Sequence, residues 1–215
     1  RRRLGNRIMY KFFVENKQIS NNQIKIIEND YNHMINVLRM KIGDKILVTN
    51  KLTNETFECE INKINPKEVI CDMVSVDTKK VEMNVKVDLF QGLPKSDKME
   101  CIIQKCVELG VHKITPVSMK YCVAKINDED KKNLRWNKIS EVAAKQCKRN
   151  MIPRIDKSIN MLELYKQIKN YDLAIVAYEN EKNITIKDVL KKNSEIKNIA
   201  VVIGPEGRVK SRRSF

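Results

Sequence analysis

No stretch of this 215-residue sequence approaches the roughly 20 apolar positions that a membrane-spanning helix needs. Its longest apolar runs, 173–177 and 199–203, are strand-sized. The basic start lacks an apolar segment behind it, which argues against a secretory signal. There are only two histidines, and the six cysteines include no Cys-x-x-Cys pair. That argues against a zinc site and reads as reduced thiols in a cytosolic protein. Aromatic residues are scarce at 6%, yet hydrophobic residues reach 42%, which is globular composition. Acidic charge is also in deficit: 27 Asp and Glu stand against 42 Lys and Arg, a net charge of +15. Such a balance favours a polyanionic partner, although a solvated lysine surface gives the same composition.

The charge is unevenly placed. Residues 1–8 hold four arginines and no lysine, and residues 208–215 hold three arginines and Lys210. The stretch between them is rich in Lys, Ile and Asn. Because composition breaks at both ends together, 1–8 and 208–215 are expected to be non-native ends rather than RNA-binding tails.

From residue 10 to 73 the pattern is mostly short strands: Phe12-Phe13-Val14, 44–49, the alternating 56–64, and 69–74 after the Asn65-Pro66 turn. This predicts a small β-barrel or sandwich, interrupted by one helix over 30–40. Polar residues 75–84 place a domain boundary at about 80, giving domains 9–80 and 81–207. Beyond it, strands and helices alternate. A strand at 85–90 is followed by a helix at 97–109 that Gly110 closes. A strand at 114–117 and a helix at 135–149 come next, the helix with Trp136, Ile139, Val142, Ala143 and Cys147 facing inward. Arg149 is expected on its outward face, where its loss should cost the fold little. A helix at 161–169 and the apolar strands 173–178 and 199–203 complete an α/β pattern with a covered parallel sheet.

Chemistry is expected beyond the carboxyl ends of such strands. The strand ending at Ile203 runs into Gly204-Pro205-Glu206-Gly207, and the second strand end, Ala177-Tyr178-Glu179, could form the other side of the same crevice. The first turn lacks the Lys of a phosphate-binding loop. No nucleophile with a partnering base is visible; His33 and His112 read as structural or surface residues, and Cys147 as core. Lys98 and Glu100 flank Met99 at a helix start, where a solvated first turn is the plain alternative.

Five segments stand in order: Asn36-Val37-Leu38-Arg39-Met40 with Gly43-Asp44; Gly92-Leu93-Pro94-Lys95-Ser96-Asp97-Lys98-Met99-Glu100 running on to Glu108-Leu109-Gly110-Val111; Arg135-Trp136-Asn137-Lys138-Ile139 with Ala143-Ala144-Lys145-Gln146-Cys147, Arg149-Asn150 and Pro153; Val176-Ala177-Tyr178-Glu179; and Ile203-Gly204-Pro205-Glu206-Gly207. Together they resemble the RsmE family of small-subunit rRNA uridine-N3 methyltransferases. The resemblance implies an α/β protein with an all-β N-terminal domain, a PUA-like β-barrel followed by a SPOUT α/β domain of the trefoil-knot type. It implies S-adenosylmethionine as cofactor, a uridine of 16S rRNA in the small ribosomal subunit as target, and a homodimer. Methyl transfer from a sulfonium donor needs no metal, and the composition already points to a cytoplasmic protein with no membrane span. Two departures stand out. Lys11 replaces the family's opening Arg, and Arg208-Val209-Lys210 replaces a third Gly, an apolar residue and Ser or Thr. The family's closing segment does not follow, so the knot is expected to be incomplete and this chain impaired.

The site expected for that reaction follows. Ala177, Ile203, Gly204, Pro205, Glu206 and Gly207 are expected to form the cofactor floor. Lys98, Glu100 and Arg149 are the catalytic candidates around the reacting base. Lys11, Arg39, Lys145 and Lys148 are candidates for RNA phosphates, with solvated surface as the alternative for each. A noncatalytic RNA-binding protein, or a SPOUT methyltransferase for another RNA or base, remains the alternative function.

Overall fold

The computed structural model describes residues 9–95, 98–119, 128–177, 185–191 and 195–204. The non-native ends expected at 1–8 and 208–215 lie outside them. By contacts the chain divides into two units, residues 1–82 with 144–152 and residues 83–143 with 153–215. The first division sits two residues beyond the expected boundary. The grouping of 144–152 with the first unit differs from the expected domains.

Unit 1 is built on period-two alternation. Phe12 and Val14 of β1 (Lys11–Val14) point to one core. After the short β2 (Ile19–Ser20), the same core receives Ile24 and Ile26 of β3 (Gln23–Ile27). It also takes Ile46 and Val48 of β4 (Lys45–Asn50), Cys59 and Ile61 of β5 (Thr56–Ile64), and Val69 and Cys71 of β6 (Glu68–Val76). Each such aliphatic side chain contributes about 1.5–3 kcal/mol by leaving water. The sheet order is β1-β4-β5-β6-β3-β2, antiparallel except for the parallel β1–β4 pair. Burial pushes the Cys59 and Cys71 thiols up to about 12, so both are inert.

The helix expected over 30–40 is shorter and less regular. α1 (Glu28–Asn32) passes into one π-helical turn, His33–Val37, and Arg39 then adopts a left-handed φ of 52°. Met34 is buried in the core, while His33 is exposed and edge-on to Phe12.

Unit 2 holds β7 (Lys86–Gly92), α2 (Lys98–Glu108), β8 (Lys113–Ser118) and α3 (Glu129–Gln146), the last running past residue 143 into the stretch grouped with unit 1. Then come β9 (Arg154–Ile155), β10 (Ile159–Asn160), α4 (Met161–Ile168), β11 (Leu173–Ala177), α5 (Ile186–Lys191) and β12 (Asn198–Ile203). All pairings are parallel, in the order β10-β8-β7-β12-β11, with β9 on β8. The last strand therefore lies between β7 and β11. Phe90, Ala200 and Val202 pack on one face with Val117 and Leu164 of α4. On α2, the i, i+4, i+8 spacing of Met99, Ile103 and Val107 buries one stripe. Among the described residues no helix is long and apolar enough to cross a membrane.

α2 ends as its sequence demands. Gly110 has φ +99°, and the Val111 amide donates to the Cys106 carbonyl at 2.9 Å. A Cβ at Gly110 would meet Met83 Cε at 3.2 Å. Gly110→Ala should lower the unfolding free energy by about 1–2 kcal/mol, the cost of left-handed backbone for a residue with a Cβ. Urea denaturation of both proteins checks this.

Candidate active site

Parallel pairing fixes which residues stand together at the carboxyl edge of the sheet. Ala177 pairs in register with Ile203, and Ile203 pairs with Gln91. Three neighbouring strands thus end side by side, and Gly204 and Gly92 continue two of them. Of the expected cofactor floor, Ala177, Ile203 and Gly204 are brought to this edge. Pro205, Glu206 and Gly207 lie outside the described residues, as do Tyr178 and Glu179. Ala177 is exposed, and Ile203 and Val176 keep 38% and 64% exposure, high for a strand end in a parallel sheet.

The same edge opens into a groove of about 820 Å³ between the sheet and α2. Leu89, Val201, Ile203 and Ile102 give it an apolar floor and wall, and Gln91, Pro94, Lys98 and Gly204 stand at its carboxyl end. Gln91 is buried, with its Nε2 donating to the Gly92 carbonyl at 2.9 Å. The residues present suit an adenosyl group: apolar side chains for the flat ring, a glycine where no side chain intervenes, and strand-end backbone for polar edges. The volume lies within the range of small-molecule sites.

Lys98 is the first residue of α2, exposed on the groove's rim. Glu100, one residue past Met99, is held by Arg135 of α3 through Nε to Oε1 at 2.7 Å and Nη2 to Oε2 at 2.9 Å. That bidentate fork gives Glu100 a fixed orientation and ties the first turn of α2 to α3. Toward the other end of β7, Asp88 accepts from the Tyr171 hydroxyl at 2.6 Å and lies 2.8 Å from His112 Nδ1.

The other candidates all fall in unit 1. Arg39 is exposed and follows the π-helical turn. Lys148 is exposed and left-handed at φ 59°. Lys145 is paired with Asp30 at 2.8 Å. Lys11 differs from an exposed phosphate-binding lysine: it is 4% exposed, and its ammonium donates to Thr56 Oγ1 at 3.3 Å, the Lys148 carbonyl at 3.2 Å and Asn150 Oδ1. Three donors meet three acceptors. Burial nevertheless lowers its pKa to about 8, against the opposing fields of Asp77 and Glu82.

Arg149 also departs from expectation. α3 stops at Gln146, three residues before it, and Arg149 is 5% exposed rather than outward-facing. Its Nε donates to Glu82 Oε2 at 3.1 Å, its Nη2 donates to the same oxygen, and the Asn150 amide donates to Glu82 Oε1 at 3.0 Å. These bonds and those of Lys11 hold residues 148–150 to the first unit. Val142, expected inward, is 56% exposed, whereas Trp136 and Ala143 are buried. Gln91, Arg135 and Glu82 were not among the expected site residues. Gln91 carries the one detectable signal, an uncharged polar residue ending an apolar strand.

The profile of an RNA methyltransferase domain matches residues 81–212, and that of an RNA methyltransferase PUA domain matches 26–74. Ribosomal RNA small subunit methyltransferase E of Bacillus subtilis is 32% identical over 214 residues, covering 93% of this chain and 81% of the relative. A putative methyltransferase of Legionella pneumophila, solved in complex with bound SAM, is 27% identical with a TM-score of 0.78, covering 93% of this chain and 81% of that one. A ribosomal RNA small subunit methyltransferase E of Neisseria gonorrhoeae, bound to S-adenosyl methionine, shares the fold with a TM-score of 0.81 at 22% identity, covering 93% of this chain and 80% of that one.

Two measurements check the buried charges. Between pH 8 and 10.5 unfolded Lys11 keeps a proton that the folded protein has shed, so stability from this group rises with pH across that window. The difference in unfolding free energy between wild type and Lys11→Met should therefore shift toward wild type from pH 7 to 10. The buried thiols act oppositely, but they cancel in the comparison. Arg149→Ala should cost about 3 kcal/mol, the low end for breaking a buried pair, because Glu82 retains some solvent contact. Chemical denaturation reads both.

Proposed function

This chain belongs to the ribosomal RNA small subunit methyltransferase E family, and from that premise we propose that it methylates N3 of a specific uridine in 16S rRNA. Its fold is a PUA-like β domain joined to a SPOUT-type α/β domain, its cofactor is S-adenosylmethionine, and its activity is rRNA methylation. The observation that carries the site assignment is the register of Ala177, Ile203 and Gln91 at the open carboxyl edge, beside the groove. Ala177, Ile203 and Gly204 hold the cofactor there, with Pro205, Glu206 and Gly207 next in the chain.

S-adenosylmethionine, when bound, supplies a methyl carbon already activated by its positive sulfur. The chain must then orient the uracil, exclude water and favour loss of the N3 proton. Lys98 stabilises the developing uridine anion from the groove's rim. Glu100, steadied by Arg135, orients that turn of α2. Arg149, buried against Glu82, fixes the 148–150 turn of unit 1. Arg39 and Lys148 are the exposed cations for rRNA phosphates, while Lys145 and Lys11 shape the surface that presents them. The enzyme works in the cytoplasm on the small ribosomal subunit, as a homodimer.

Lys98→Ala should slow single-turnover methylation of small-subunit rRNA by about tenfold or more, a transition-state loss of at least ~1.4 kcal/mol. Its affinity for S-adenosylmethionine should stay unchanged by calorimetry. Unchanged methylation would remove Lys98 from the reacting centre. Mapping the methyl group to any position other than uridine N3 would replace the proposed target.

A further inference from the structure

Unit 1 contains a second cavity, of about 460 Å³, whose lining residues have no role in the account above. Glu28, Tyr31 and Asn32 of α1 face it from one side, and Pro66, Lys67 and Glu68 line it from the β5–β6 turn and the start of β6. The space is large enough for a nucleoside.

Its chemistry is selective. Tyr31 and Pro66 offer ring surfaces, and a base freed from its helix stacks on such rings. Glu28 and Glu68 supply carboxylates, Asn32 an amide and Lys67 a cation. Among the described residues the side chains of Glu28, Tyr31, Asn32 and Lys67 make no hydrogen bond or ion pair with one another or with other groups. Glu68 is oriented rather than consumed: Asn65 Nδ2 donates to its Oε1 at 3.0 Å, and Lys25 Nζ lies 3.9 Å from its Oε2. Glu28 is also held at a left-handed φ of 55°, a conformation that residues with a Cβ avoid.

Two carboxylates would repel a phosphate placed between them, so the group that enters is a base edge bearing hydrogen-bond donors. Guanine, cytosine and adenine each carry an exocyclic amino group that a carboxylate can accept from. Uracil places carbonyl oxygens on both sides of its single ring N–H and suits the site poorly. We propose that this cavity receives an unstacked, amino-bearing RNA base, flanking and distinct from the uridine that is methylated. The inference rests on the assignment of rRNA as substrate. Lys67 then meets a phosphate adjoining the captured base, and the site gives the barrel domain a means of reading sequence that phosphate contacts lack.

The test is a titration of the full ¹⁵N-labelled chain with GMP, CMP, AMP and UMP, followed by backbone amide shifts. At least one amino-bearing nucleotide should shift the amides of residues 27–32 and 67–68, with UMP binding about tenfold or more weakly. Replacing Glu28 and Asn32, both exposed, as Glu28→Gln with Asn32→Ala should abolish those shifts. The proposal is overturned if no nucleotide perturbs these residues, if UMP binds equally well, or if the double variant binds as wild type does. Methylation of small-subunit rRNA by the wild-type protein is measured in parallel. Intact methylation with a silent cavity overturns the base pocket alone, whereas absent methylation strikes the functional assignment beneath it.

Discussion

Parallel pairing of β12 between β7 and β11 is the constraint from which the site follows. A parallel strand cannot be reached by a tight turn, so each pairing requires a crossover and delivers all carboxyl ends to one edge. Here the last of the described strands is inserted between β7 and β11, and its register sets Ile203 between Ala177 and Gln91. A slip of one residue would turn Val201 and Ile203 away from the groove and drive Ala200 and Val202 out of the core they share with Phe90 and Leu164. The packing that stabilises the sheet therefore also fixes the geometry of the proposed cofactor floor.

Unit 1 solves a different problem. Its apolar core is conventional, but Lys11 and Arg149 are charges taken out of water. Such groups are retained only where acceptors surround them. Lys11 has Thr56, Asn150 and the Lys148 carbonyl, and Arg149 has Glu82. The result is a local fixation of the turn that follows α3, with Lys148 held in left-handed backbone. Hydrogen bonds to charged groups are directional as well as strong, so they define the turn's position more sharply than apolar contact would.

The sequence made the strands of unit 1 legible because one-sided burial imposes alternation, as in Ile24 and Ile26 or Ile46 and Val48. It likewise showed α2, through Met99, Ile103 and Val107 and the glycine behind them. The paired strand ends were readable because apolar runs stopped at Ala177 and Ile203. What escaped was long-range and polar. Lys11 and Asn150 are 139 positions apart, and Arg149 and Glu82 are 67 apart. Neither pairing leaves any periodic trace, so Lys11 and Arg149 read as surface cations and 144–152 as part of the second domain. The π-helical turn escaped for a related reason: Met34 satisfies helical periodicity whether the turn is α or π.

Hydrogen exchange of this chain, with and without saturating S-adenosylmethionine, tests the central claim most directly. The account predicts cofactor-dependent protection in peptides that span Ala177 and the Ile203–Gly204 strand end, with β5 and β6 of unit 1 unchanged. Absence of protection at both strand ends, or protection confined to unit 1, would contradict the placement of the cofactor at the carboxyl edge of the parallel sheet.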